Sequence, residues 1–408
     1  MRENPITLTR SVLLWATLGI VCGLFAAIYW IVLARVMEWF DRFTGLSLLL
    51  VMPLVGLAIG LVIRWLGNPG EIGLIIDNIH LNGGRLRLRE NPSMILSSLL
   101  SIASGGSAGP EAPMVQVTGS IGTWFADRFG ARGEALRSLS IAGMASGFTV
   151  LFGAPLGGAF FALEILHHQQ VALYAEAFMP AVVASCAGYA IFVAITRLGI
   201  GPVWHFPHYN VESLFDFAEA IVYGVVGAIA GWLFIALFRA CDRWFESLPN
   251  IVWKTTVAGL GLGILAVFSP LTRFFGEHQL ETVIEGNFSV SFLLVLAIAK
   301  MVAISVTVTG GWRGGIIIPL FFTGACLGRV LSLLNPGFNE TLATIGVMAG
   351  LNASVTRTPL STTLLLAKLT GFSTFAPILF ASIVGFFLSP RDPFIASQLN
   401  EKRSGSRE

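Results

Sequence analysis

The sequence predicts an all-α, polytopic membrane protein built from two copies of one helical unit. Three observations carry this expectation. Of its 408 residues, 55% are hydrophobic and only 12% charged, and the mean hydropathy is +0.78. A soluble domain carries about 25% charged residues, so this chain lacks the polar groups to cover a water-facing surface. Long uncharged runs recur along nearly its whole length, and two glycine- and proline-rich segments appear in the same order in each half.

Taken from the N-terminus, Ser11 to Ala34 holds no charge, and neither does Thr44 to Ile63. Ser291 to Trp312 is broken only by Lys300. About 20 apolar residues in a helix cross the roughly 30 Å hydrocarbon core, so each run is long enough to span. The first is longer than the apolar region of a cleavable signal and reads as the first true helix. Basic residues set the orientation. Arg2 and Arg10 precede the first helix, Arg85, Arg87 and Arg89 crowd one loop, and Lys402, Arg403 and Arg407 close the chain. The positive-inside tendency puts all three groups in the cytoplasm of a multi-pass plasma-membrane protein (the inner membrane, if bacterial). Cys22, Cys186, Cys241 and Cys326 sit singly in apolar stretches, as inert buried thiols do, and form no disulfide or zinc pattern. A net charge of +2 gives no ground for nucleic-acid binding.

The repeat rests on two matched features. Gly109 to Gly122 carries a glycine entry, Pro113 and the pair Thr118 and Gly119; Gly314 to Gly328 carries Gly315, Pro319 and the pair Thr323 and Gly324. Each segment closes on a glycine nine residues after its proline. Downstream, Gly143 and Gly147 lead to Pro155 and Leu156, as Gly346 and Gly350 lead to Pro359 and Leu360. The expected organisation is a cytoplasmic N-terminus at 1–10, a first membrane repeat at 11–200 and a linker at 201–214. A second repeat at 215–390 and a short cytoplasmic tail at 391–408 follow. The uncharged stretches Ala112 to Ala126 and Gly314 to Gly328 are too short to span at about 1.5 Å per residue. Short, interrupted segments at matching places in two halves point to a midplane site built from broken helices. Lipid tolerates such backbone only where protein buries it or water lines it, so a pathway is expected here.

Glu111 is the first candidate for chemistry. It lies in Gly109-Pro110-Glu111-Ala112-Pro113, an irregular entry to one of these helices. An ionisable group at such depth costs about 2.5–3.5 kcal/mol on insertion scales and marks function by default. The helix after it turns four unpaired N–H groups and about half a positive charge toward the loop. A carboxylate is stabilised there, and so is a small anion, so the two compete for one place, and the carboxylate can also take up a proton. The plainer alternative is an acidic residue that only stabilises its helix.

These residues resemble the chloride channel and transporter (CLC) family. Glu111 and its neighbours, followed by Met114-Val115-Gln116-Val117, look like the family's second pore loop. Gly315-Ile316-Ile317-Ile318-Pro319 looks like the third, with Ile317 where phenylalanine is usual. Phe152-Gly153-Ala154-Pro155 through Glu164, and Arg357-Thr358-Pro359-Leu360, also look like family segments. The likeness covers most of 10–398. It implies about eighteen helices per subunit, an inverted repeat, a homodimer and a separate anion pathway in each subunit. By position, Glu111 would be the external gate. Gly109, Ala112, Gly315, Ile316 and Ile317 would face the anion.

Three further positions depart from the family. In the first loop, best matched by Gly67-Asn68-Pro69-Gly70-Glu71, Pro69 stands where a serine usually binds the anion. Proline has neither hydroxyl nor N–H to donate, which leaves neighbouring amides such as that of Gly70; some nitrate-preferring members are similar. Glu71 reads as an ordinary first-turn acid or as a pore residue. Phe394 replaces the inner tyrosine and removes a second donor. Ile165 aligns with the internal proton-relay glutamate, while Glu164 precedes it and points about 100° away on a helix. Arg313, after Trp312, is open to two roles, concentrating anions or satisfying carbonyls and acids nearby. His167 and His168 look like a helix end rather than a metal site.

The expected function is transport of chloride or a similar small anion, uncoupled or loosely coupled to protons, with strict anion/proton exchange as the alternative. Bound anion is the sole expected ligand, with no cofactor. An intramembrane enzyme is the competing class. It needs a nucleophile and base, or a metal cluster, at membrane depth, and the six histidines lie apart from the repeated glycine loops.

Overall fold

The apolar runs become long helices, and glycines and prolines set where they stop. A computed structural model describes residues 5–70, 72–81, 83–167, 171–211 and 213–398. Glu71, His168, Arg2 and the basic residues near 402–407 lie outside the described residues. The described chain forms sixteen α-helices and no strand, against the eighteen the resemblance implied. The first half holds α1 (Pro5–Phe40), α2 (Leu48–Leu66), α3 (Ile72–Leu81), α4 (Asn91–Ser104), α5 (Glu111–Arg128), α6 (Glu134–Phe152), α7 (Pro155–Glu164) and α8 (Val171–Thr196). The second holds α9 (Phe215–Glu246), α10 (Ile251–Phe268), α11 (Glu277–Glu285), α12 (Val290–Thr309), α13 (Ile317–Leu334), α14 (Glu340–Thr356), α15 (Pro359–Thr370) and α16 (Phe375–Phe387).

Each helix packs as its counterpart eight helices later does. In the first half α1 lies on α8 and α6, α5 on α6, α2 on α4; in the second α9 lies on α16 and α14, α13 on α14, α10 on α12. The halves meet where α2 crosses α10 and where α7 crosses α15. Small residues let backbones approach closely in lipid, where helix association lacks a hydrophobic drive. A Cβ at Gly23 would strike the backbone of Gly188 on α8, and one at Gly385 would strike Gly350 on α14. The matched Gly/Pro features are matched junctions as well. α6 ends on Gly153 (φ 63°) and α14 on Arg357 (φ 60°), both left-handed, and a proline opens the next helix each time. Proline suits that position because its missing N–H has no helical partner there anyway.

Eight described helices are long and apolar enough to cross a membrane, and the protein is a multi-pass membrane protein. Two expectations need correcting. The helices after the second and third loops are not short: α5 and α13 each run for 18 residues, about 27 Å. Charge alone ended the uncharged runs, since Asp127, Arg128 and Arg329 all lie inside these helices. The cysteines are not uniformly buried either. Cys22 and Cys326 are, but Cys186 is exposed and Cys241 half-buried, all without disulfides.

The ends of the predicted segments are also more engaged than loops and tails suggest. Trp204 is buried, and its backbone N–H donates to the Leu369 carbonyl at 3.0 Å. Past Pro390 the chain folds back, with Ile395 buried and Arg239 donating to the Asp392 carbonyl at 3.1 Å.

Candidate functional site

Three irregular connections, 67–70 after α2, 105–110 before α5 and 310–316 before α13, are tied together by hydrogen bonds. Gly109 and Gly315 exchange both backbone bonds, Gly109 N–H to Gly315 O at 2.8 Å and the reverse at 2.6 Å. This short antiparallel pairing sets the starts of α5 and α13 side by side. Glu111, the first residue of α5 and only 2% exposed, reaches across to the other helix: its Oε1 accepts the Ile318 N–H at 2.9 Å. Its Oε2 is buried and without a hydrogen-bond partner among the described residues. A Cβ on either Gly109 or Gly315 would overlap that oxygen, so the two glycines form the cradle in which the carboxylate lies. An acceptor at a helix N-terminus meets unpaired N–H groups and the positive end of the macrodipole. The carboxylate therefore occupies a place suited to a small anion.

The first loop joins through Asn68, whose Oδ1 accepts from Arg313 Nη2 at 2.7 Å. Gly67 is anchored in turn, its carbonyl accepting from Ser93 Oγ at 2.6 Å. Pro69 is buried and Gly70 half-buried. Phe394 lies half-buried with its ring centroid 4.7 Å from that of Phe238 and 5.7 Å from that of Phe234, in a cluster that Ile316 also packs against. Ile395 and Ser397 border Gly73 at the start of α3. The candidates Pro69, Gly70, Gly109, Glu111, Ala112, Gly315, Ile316, Ile317 and Phe394 thus fall on one connected set of segments. Ala112 and Ile316 are half-buried beside the buried Glu111 and Ile317.

Glu164 and Ile165 belong to a different place. Glu164 accepts the N–H of Leu360 at 3.0 Å, the N–H of Ser361 at 2.8 Å and the Ser361 hydroxyl at 2.5 Å. It caps the N-terminus of α15 from outside that helix. Ile165 is buried, its carbonyl accepting from Gln398 Nε2 at 3.1 Å. Beside Glu164, a cavity of about 640 Å³ is lined by Phe160, His167, Arg357 and Phe386. His167 Nε2 lies 2.8 Å from the Arg357 carbonyl, which ties that helix end to the start of the α15 connection.

Two buried cations gained partners that local sequence could not name. Arg313 is 5% exposed and Lys300 fully buried. Lys300 Nζ donates to the carbonyls of Thr272 at 3.1 Å and Phe274 at 2.8 Å and lies 5.0 Å from the centroid of the Phe322 ring. Its signal in the sequence was its isolation, as the one charge in α12; its partners lie in another connection.

A helical membrane domain with two helix N-termini turned on one buried acidic group has the features of an anion-transport protein. The chain belongs to the voltage gated chloride channel family, whose model matches residues 62–390. It is 28% identical to the chloride/fluoride channel protein of Pseudomonas syringae pv. tomato over 392 residues, 91% of this chain and 83% of the relative. It is 29% identical to the voltage-gated ClC-type chloride channel ClcB of Escherichia coli over 308 residues, 72% of this chain and 71% of the relative. Its fold is similar to that of a CLC-type fluoride/proton antiporter, with a TM-score of 0.85 and 23% identity over 97% of this chain and 99% of that one. A slow cyanobacterial chloride/proton antiporter is similar too, with a TM-score of 0.83 and 22% identity over 95% and 96%. The protein is accordingly a membrane anion-transport protein of this family.

Proposed function

We propose that each subunit passes chloride or a similar small anion through the connected loops, with Glu111 as the gate. The observation that carries this reading is the seat of Glu111, its Oε1 on the Ile318 amide and its Oε2 against Gly109 and Gly315. With the carboxylate seated, the amides at the start of α13 are taken. When it leaves, by protonation or by exchange with an arriving anion, the same amides receive the anion. Gly70, Ala112, Ile316 and Ile317 border the route, and Pro69 and Phe394 line it without donating to it. The transported ion is the only ligand the site requires.

Transport is uncoupled or loosely coupled to protons. A proton relay through a membrane is built from ionisable side chains. Ile165 offers none, and the carboxylate of Glu164 is already committed to three donors at α15. The subunit works as one half of a homodimer, with its own pathway. Purified protein in liposomes is expected to release chloride, with nitrate, bromide and fluoride as comparison ions, and to retain potassium. Fluoride belongs on the panel because the Pseudomonas relative is named for it. Potassium release, or no release of any of the four anions, overturns the reading.

A further inference from the structure

We infer that Arg313 is the positioning residue that sets the anion preference of the pathway, by locking the first loop against the third through Asn68. The inference deepens the transport reading above and rests on it. Arg313 is projected from a rigid base. Next to it, Trp312 is 1% exposed, with its backbone N–H on the Thr307 carbonyl at 3.0 Å and its indole N–H on the Thr255 carbonyl at 2.8 Å. Helices α10 and α12 therefore hold the stem of the arginine. Among the contacts of Arg313, the bond from Nη2 to Asn68 Oδ1, at 2.7 Å, joins residues 245 apart in sequence.

Asn68 itself is exposed, and the residue after it, Pro69, is buried. The same Oδ1 lies 3.4 Å from the Gly70 N–H, which donates to it. One carboxamide oxygen thus fixes the conformation of Asn68-Pro69-Gly70 and its place against the third loop. Two residues beyond Arg313, Gly315 is paired to Gly109, and Glu111 sits on both glycines. The bonds run in a chain from Asn68 to Arg313, through the backbone to Gly315, across to Gly109 and on to Glu111 and Ile318. Any shift of Asn68 changes the width between the first loop and the seat of the gate. Proline gives that loop no N–H of its own to adjust with, so width and the few remaining donors decide which anion fits.

The test is the chloride-to-nitrate permeability ratio in liposomes for wild type, Arg313→Gln, Arg313→Lys, Asn68→Ala and the Arg313→Gln/Asn68→Ala double variant. Both Arg313→Gln and Asn68→Ala should shift the ratio at least fivefold in the same direction. The double variant should shift it no further, since both substitutions remove one bond. Arg313→Lys should fall between wild type and Arg313→Gln, because lysine keeps the charge and a donor but loses the planar fork. If Arg313→Gln fails to fold, Asn68→Ala alone decides, since its side chain is exposed. A wild-type ratio in Asn68→Ala, or additive shifts in the double variant, overturns the inference and leaves the transport reading intact. Wild type that passes no anion overturns both.

Discussion

A carboxylate seated at the start of α13 takes the Ile318 amide, and two glycines decide whether it can be there. Neither Gly109 nor Gly315 has a positive φ, so alanine is compatible with the backbone at both. Its methyl group would nonetheless overlap the Glu111 carboxylate. Gly109→Ala, whose methyl would meet only the movable far end of Glu111, is therefore expected to push the carboxylate out, raising anion release severalfold and flattening its pH response, with little loss of protein in detergent. Unchanged release and unchanged pH response in this variant would mean that the carboxylate has another resting place. Glu111 was legible in the sequence because an acid between two prolines in a glycine-rich loop has no structural reason to lie at membrane depth. Its partner, the Ile318 amide, was not legible. It lies 207 residues away, and periodicity reports only neighbours along one helix.

Among the elements, the helices themselves were the easiest to read, because a run of apolar residues needs no partner to declare itself in lipid. Junctions were legible where backbone geometry demanded particular residues, as at Gly153 and Pro155. What stayed hidden were contacts between connections: Glu164 capping α15, Lys300 holding the 272–274 segment, Arg313 holding Asn68, and the fold-back of 391–398. Each joins a side chain to backbone or loop groups far along the chain, and such groups carry no pattern. These contacts have measurable weight. Glu164→Ala removes the cap of α15 and should cost about 1 kcal/mol of stability, with the proton dependence of transport unchanged. A loss of proton dependence would return Glu164 to the transport route. Lys300→Met leaves two buried carbonyls unpaired, at about 1–3 kcal/mol each. A clear fall in thermal stability is expected, and stability equal to wild type would show that water reaches those carbonyls.

At the scale of the whole molecule, two halves with the same helix packing meet along α2 and α10, along α7 and α15, and at the Gly109–Gly315 pairing. That pairing puts one helix N-terminus from each half on the same buried acid. The repeat was legible from its matched prolines and glycines; that its two copies join through a two-residue backbone exchange was not. Proton coupling also belongs to this scale. The reversal potential under a pH gradient, at fixed chloride gradient, should stay near the chloride value; a shift matching a fixed chloride-to-proton ratio would establish exchange. The central claim is that Glu111 closes an anion pathway, and the most direct measurement is chloride release from liposomes by wild type, Glu111→Gln and Glu111→Ala across a range of pH. The account predicts release by all three, a pH response in wild type alone, and the fastest release from Glu111→Ala. Release by both variants with the rate and pH response of wild type would contradict it and leave Glu111 a helix-stabilising residue.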